Sequence, residues 1–255
     1  QAIFAVAATT VEQARRAALL ASIDYEELEP ILDPLTAVEK GSFVLPSETL
    51  ARGDAATAIS DAPRRLQRRV TIGGQDQFYL EGHIAMCLPQ EDNGLLVYSS
   101  TQHPDDVQHL VAQATGRPAK DVVCICRRKG GAFGGKESQA ATLACMAAHM
   151  MVKTGRPCKL RLDRDVDMTM TGKRHDFVVD YDVGFDDTGR ILGVGVSFAS
   201  RCGISAVLSG RVNDRSMFLC DTAYFLVYVN IGSRRCRPNT VSKTALRGFG
   251  GRRGV

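Results

Sequence analysis

The segment KGGAFGGKE, residues 129–137, constrains this chain more than any other: four glycines surround one phenylalanine, between a strand-like run, DVVCICR, and a helix-forming run, KESQAATLACMAAHMMVK. Glycine supplies positive φ and clears side chains from the backbone's path, so successive N–H groups can converge on an anion where a helix begins. A single left-handed residue serves a plain connection. Four glycines point instead to a loop that brings backbone against a large ligand. Gly130 to Lys136 also satisfies G-x-x-x-x-G-K, the frame of a nucleotide phosphate loop. That reading fails at the next residue, because Glu137 stands where a Ser or Thr hydroxyl must meet Mg²⁺, and its carboxylate repels phosphate. Glu137 is expected at the helix start, its carboxylate aimed into the space the loop encloses.

Around this loop the chain reads as alternating elements. IFAVAA at residues 3–8 is strand-like, and Thr9-x-x-Glu12 has the capping-box pattern that opens a helix over VEQARRAALLA. Residues 33–69 are rich in Pro, Gly, Asp and Ser with weak periodicity and read as a connector. GGQDQFYLEGHIAMCL is a glycine turn into a strand, and LLVYSST is another strand. Pro104 then opens a helix that Gly116 closes. After the long helix closed by Gly155 come CKLRLD, a hairpin of FVVDYDVGF and RILGVGVSF joined through Asp186–Gly189, and TAYFLVYVNI as a last strand. The expected class is α+β, with mixed sheets and packed helices.

Composition narrows the function. Lys plus Arg number 32 against 28 Asp plus Glu, a net +4 with both signs dispersed, so no basic stripe for nucleic acid is present. No apolar run approaches the ~18 residues of a membrane span, and no signal peptide is legible; a cytoplasmic protein is expected. Eight cysteines lie scattered, without a C-x-x-C pair, and are expected as reduced thiols with no iron–sulfur cluster in this chain. The absence of an initiating Met and the ending inside LRGFGGRRGV lead us to expect a piece of a longer protein.

KGGAFGGKES resembles the glycine loop of the molybdenum hydroxylases, in the xanthine dehydrogenase and xanthine oxidase branch. GGQDQFYLEGH, SSTQHP, TGRPCKLRLDRDVDM with TGKRHDF, and TALRGFGG stand in the same order across residues 73–251. The resemblance implies that residues 1–45 are the tail of a small α/β hammerhead-like domain, 46–70 a linker, and 71–255 the first part of a molybdopterin-binding domain.

It further implies cofactor binding by Gln102, Phe133, Gly134 and Arg247, with Gln102, Phe133 and Arg247 as the molybdenum-cofactor contacts. Glu137 and Arg215 match the acceptor and donor that hold a purine, and Phe249 the ring that stacks on it. Stacking suits a flat heteroaromatic face, and a paired acceptor and donor favour xanthine or hypoxanthine over less polar substrates. The ordinary alternatives are a strand-end amide for Gln102, a core ring for Phe133, a helix-dipole carboxylate for Glu137 and a solvated Arg215. The family's general-base Glu lies near the C-terminal end of its polypeptides, so no residue here takes the catalytic role.

The implied reaction is hydroxylation of xanthine or hypoxanthine to urate with water as the oxygen source. Electrons would leave through 2Fe–2S and FAD centres on other domains or subunits to NAD or oxygen, in a homo- or hetero-oligomer. An aldehyde or N-heterocycle oxidoreductase of the same family, or a non-catalytic remnant, are the alternatives. Three departures stand out: Ala132 where Gly is usual, Lys243 where Asn is common, and Arg252–Arg253–Gly254–Val255 where Pro-Gln-Gly normally continues.

Overall fold

A computed structural model describes residues 2–251. In chain order the elements are α1 (Val11–Ala18), α2 (Pro34–Glu39), β1 (Glu48–Arg52), α3 (Ala55–Ser60), β2 (Arg64–Ile72), β3 (Ile84–Pro89), β4 (Leu95–Ser99), α4 (Pro104–Thr115) and β5 (Val122–Ile125). They continue with α5 (Ala140–Thr154), β6 (Cys158–Arg161), α6 (Arg164–Met170), β7 (Phe177–Phe185), β8 (Ile191–Arg201), α7 (Ser209–Phe218) and β9 (Tyr228–Cys236). The class is α+β, as expected. Two compact units interleave along the chain: one gathers Gln1–Glu29 and Phe78–Met170, the other Pro30–Gln77 and Thr171–Val255. No helix among the described residues is long and apolar enough to cross a membrane.

The first unit is a four-stranded sheet in the order β5-β4-β3-β6, with β4 and β5 parallel and the other pairs antiparallel. Alternation sends Ala85, Cys87, Leu95 and Val97 inward, where they meet Val107 and Val111 of α4 and Leu143, Ala144 and Ala147 of α5. The alanines of α5 let its axis approach the sheet closely. Pro104 starts α4 with Asp105 and Asp106 beside its positive end, and Gly116 ends it at φ +68°, as the sequence predicts.

The second unit is a five-stranded sheet, β1-β9-β8-β7-β2, in which only β8 and β9 run parallel. One face packs Phe177, Val179, Phe198 and Ile231 under Val212 and Met217 of α7. The opposite face packs Val178, Ala199 and Cys236 under Ala37 of α2. α3 lies on that same face over Gly193, where a Cβ would sit 3.0 Å from the Ala58 Cβ.

Four expectations change. The connector at residues 33–69 is structured: Asp33 and Asp54, read as breakers, cap α2 and α3 by accepting backbone N–H groups, and β1 and β2 form the two sheet edges. These strands are almost wholly exposed, so they lack the hydrophobic alternation that marks a strand in sequence. Arg65 and Arg69 of β2 instead pair with Asp182 and Asp180 of β7, a charged edge that discourages further pairing. IFAVAA forms no strand; Ile3, Phe4 and Val6 are exposed, with no strand among the described residues paired to them. The cap of α1 is Thr10, one residue later than predicted, accepting from the Gln13 N–H. Finally, TAYFLVYVNI enters its strand only at Tyr228, and the sequence reading missed α6 and α7. All eight cysteines are free thiols.

Candidate functional site

In the first unit, the glycine loop leaves β5 and turns back before α5. Gly131 and Gly134 take φ values of +92° and +97°, which side chains resist. A Cβ on Gly130 would lie 2.7 Å from the Glu81 Cβ, so close backbone approach, as well as turn geometry, demands glycine. Phe133 is itself left-handed at φ +53° and half exposed. Non-glycine residues held there carry strain of roughly 1–3 kcal/mol, a cost that concentrates at functional sites.

Gln102, just beyond β4, joins this loop. Its Oε1 accepts from the N–H of Gly134 at 3.1 Å and of Lys136 at 3.3 Å. Both partners are donors, so the amide can only be oriented with oxygen inward. Its Nε2 donors then face away from the loop backbone and meet no acceptor among the described residues. Ala132, the departure from the usual glycine, is buried.

Lys136 is fully buried and cannot reach a phosphate, which agrees with rejecting a nucleotide loop. Its Nζ donates to the Glu81 carbonyl at 2.7 Å, the Ser100 hydroxyl at 2.9 Å and the Glu81 carboxylate at 3.3 Å, and lies 4.7 Å from the centre of the Tyr79 ring. Burial pushes its pKa down, against the opposing charges of Glu81 and Asp167. Burial also works against the Glu81 carboxylate, but hydrogen bonding to Ser100 and the Lys136 charge outweigh it and hold that carboxyl below its usual range. Deeper still, Asp167 accepts from the Tyr79 hydroxyl at 2.8 Å and the His83 N–H at 2.8 Å. Burial opposes its ionisation, yet these bonds together with the His83 side chain keep it well below the ordinary carboxylate range.

Glu137 is half-buried and lies before the Gln139 cap of α5 rather than on the helix. The reason is local. The Lys136 carbonyl is taken by the Gln102 N–H at 2.9 Å and the Thr101 hydroxyl at 3.3 Å, so it is not available to start a helical ladder.

In the second unit, Arg215 is an exposed residue of α7, and Arg247 and Phe249 sit on the turn at residues 246–251. This turn is glycine-dependent: Gly248 and Gly250 have φ of +93° and +78°, and Phe249 has +34°. A Cβ on Gly250 would lie 2.3 Å from the Val212 carbonyl, and the Ser216 hydroxyl donates to the Gly250 carbonyl at 3.1 Å. α7 therefore carries Arg215 and also seats the turn of Arg247 and Phe249. Phe249 packs on the core below α7, while Arg247 is exposed. Lys243 is accommodated by Asp176, 3.7 Å from its Nζ; burial lowers its pKa against that pairing. Arg252, Arg253, Gly254 and Val255 lie outside the described residues.

Gln102, Phe133, Gly134 and Glu137 thus belong to one unit, and Arg215, Arg247 and Phe249 to the other. Glu81, Tyr79, His83 and Asp167 were not singled out from sequence, and Lys136 was singled out only as a failed phosphate ligand.

Residues 39–255 match the family model described as the molybdopterin cofactor-binding domain. The chain is 41% identical over 99% of its length to xanthine dehydrogenase/oxidase of Gallus gallus, and 38% identical over 98% to aldehyde oxidase 2 of Cavia porcellus. It spans 19% of the length of each. Its fold matches the aldehyde oxidoreductase structure from Desulfovibrio desulfuricans with a TM-score of 0.86 at 21% identity, over 94% of this chain and 28% of that one.

Proposed function

The chain belongs to the molybdopterin cofactor-binding domain family of the molybdenum hydroxylases, and from that premise we propose that it supplies cofactor and substrate contacts for purine hydroxylation. The observation that carries this reading is the fixed amide of Gln102. With Oε1 consumed by the loop, its Nε2 can only donate, which fits a cofactor bearing oxo and phosphate oxygens and suits no bare cation. The half-exposed Phe133 ring and the side-chain-free Gly134 beside it fit a large flat group. Bound there, the molybdenum–pterin group would supply a two-electron redox centre and a Lewis acid that activates water.

The chain's own residues then divide the remaining tasks. Gln102 donates to a cofactor oxygen, Phe133 and Gly134 lie against the group, and Arg247 adds a cationic donor to it. Glu137 accepts from a purine N–H, Arg215 donates to a substrate carbonyl and offsets negative charge on the ring, and Phe249 stacks on its face. The proton-accepting Glu would come from sequence outside this chain. Electrons would pass through 2Fe–2S and FAD centres on other domains or subunits to NAD or oxygen, in a cytoplasmic oligomer. Residues 1–45 are proposed as the tail of the preceding hammerhead-like domain.

An aldehyde or N-heterocycle oxidoreductase is the second reading, supported by near-equal identity to aldehyde oxidase 2. Glu137→Ala and Arg215→Ala in the full-length enzyme decide between them. The purine reading predicts loss of xanthine turnover by about tenfold or more, as expected when a site loses a polar anchor, with aldehyde turnover little changed. Equal losses on both substrates contradict it.

A further inference from the structure

Lys136 does more than fill the interior. Its side chain is tied to Glu81 and Ser100, while its main chain is tied to Gln102 in both directions: the Lys136 N–H reaches the Gln102 Oε1 at 3.3 Å, and the Gln102 N–H reaches the Lys136 carbonyl at 2.9 Å. Glu81 grips the other end of the loop as well, its N–H donating to the Gly130 carbonyl at 3.0 Å and its carboxylate accepting from the Gly130 N–H at 3.4 Å. The loop from Gly130 to Lys136 is thus closed by one ion pair whose ammonium is completely buried. An ammonium with no exposure has three fixed acceptors and no water to substitute for them, so small displacements are costly.

We propose that the Glu81–Lys136 pair is a positioning device: it closes the glycine loop and thereby sets the direction in which Gln102 presents its Nε2. The inference rests on the cofactor reading above and adds two residues to it. Neither residue touches cofactor or substrate; each acts through Gln102. A displacement of about 1 Å at a reacting centre costs up to about a hundredfold in rate, so a loosened loop should show in turnover rather than in substrate affinity.

The test uses the full-length assembled enzyme with Glu81→Ala, whose side chain is partly exposed and tolerates truncation, and Lys136→Met as the stronger perturbation. Glu81→Asp serves as the charge-keeping conservative variant, and Glu81→Gln as its uncharged counterpart. Expected for Glu81→Ala are molybdenum and pterin contents close to the parent, kcat lower by about tenfold or more with KM within about twofold, and a changed Mo(V) electron paramagnetic resonance signal. Hydrogen exchange in the peptide covering residues 130–138 should also accelerate, and Glu81→Asp, which keeps the charge, should recover part of the loss where the uncharged Glu81→Gln does not. In a Gln102→Ala background the same change should add little, because residues acting through one group are non-additive.

An unchanged kcat and Mo(V) signal in fully loaded Glu81→Ala enzyme overturns the proposal. So do a loss confined to KM, a loss that tracks cofactor content with kcat per molybdenum unchanged, or full additivity with Gln102→Ala. A parent enzyme that holds no molybdenum overturns the cofactor reading itself, a result distinguishable from all of these because it appears before any substitution.

Discussion

Substituting Gln102 by Glu and by Leu separates what its two amide atoms do. Oε1 accepts from two backbone N–H groups, those of Gly134 and Lys136. Glu keeps an acceptor in that place and loses the outward donor; Leu loses both. Leaving a buried N–H unsatisfied costs about 1–3 kcal/mol. Gln102 is only half-buried, so water relieves part of this, and the lower end for each of two groups gives a loss of about 2 kcal/mol for Gln102→Leu. In a chain of this length that lowers the thermal midpoint by roughly 4–8 °C at about 2–4 °C per kcal/mol. Gln102→Glu strengthens the same bonds by charge and should stay within about 1 kcal/mol of the parent. In turnover the ranking is different. Removing one preorganised donor to developing charge typically costs about 10²–10³ in rate, so both variants of the full-length enzyme should fall by about a hundredfold, including the stable one. Thermal melting and steady-state turnover measure the two effects independently. A Gln102→Glu enzyme that is stable and fully active would refute the assigned donor role. A Gln102→Leu chain as stable as the parent would refute the two-amide anchoring.

Gly250→Ala should destabilise the chain by at least about 1–2 kcal/mol, the cost of left-handed backbone alone. The added methyl would also meet the Val212 carbonyl at 2.3 Å, so a thermal midpoint unchanged from the parent would contradict the packing of this turn on α7. Asp167 governs acid sensitivity: its folded carboxyl lies below its usual value, against an unfolded value of about 3.9. Its contribution is therefore fully present above about pH 4 and is lost as pH falls toward the folded pKa. Asp167→Asn should lower stability at neutral pH yet lose less on acidification from about pH 5 to about pH 3; parallel acid limbs in denaturant titrations would contradict this.

The legible parts of the fold were those whose signals are local. Pro104 and Gly116 bracket α4 because one lacks an N–H that a first turn does not use and the other tolerates a left-handed cap. The glycine loop announced itself by density. β1 and β2 stayed hidden because edge strands exposed on both faces carry no alternation, and their partners β9 and β7 lie more than a hundred residues away in sequence. Asp33 and Asp54 read equally well as loop residues or as caps until a helix is seen behind them. At the site, Glu137 and Lys136 were visible as residue types, but a lysine reads the same whether solvated or buried. Its partner Glu81 and the Tyr79–His83–Asp167 network become neighbours only through the packing of the 78–83 segment against the glycine loop and α6.

Metal and pterin analysis, with a xanthine oxidation assay, on the complete gene product purified with its neighbouring subunits should find stoichiometric molybdenum and pterin together with xanthine turnover. Well-folded, fully assembled protein that contains neither would contradict the cofactor reading.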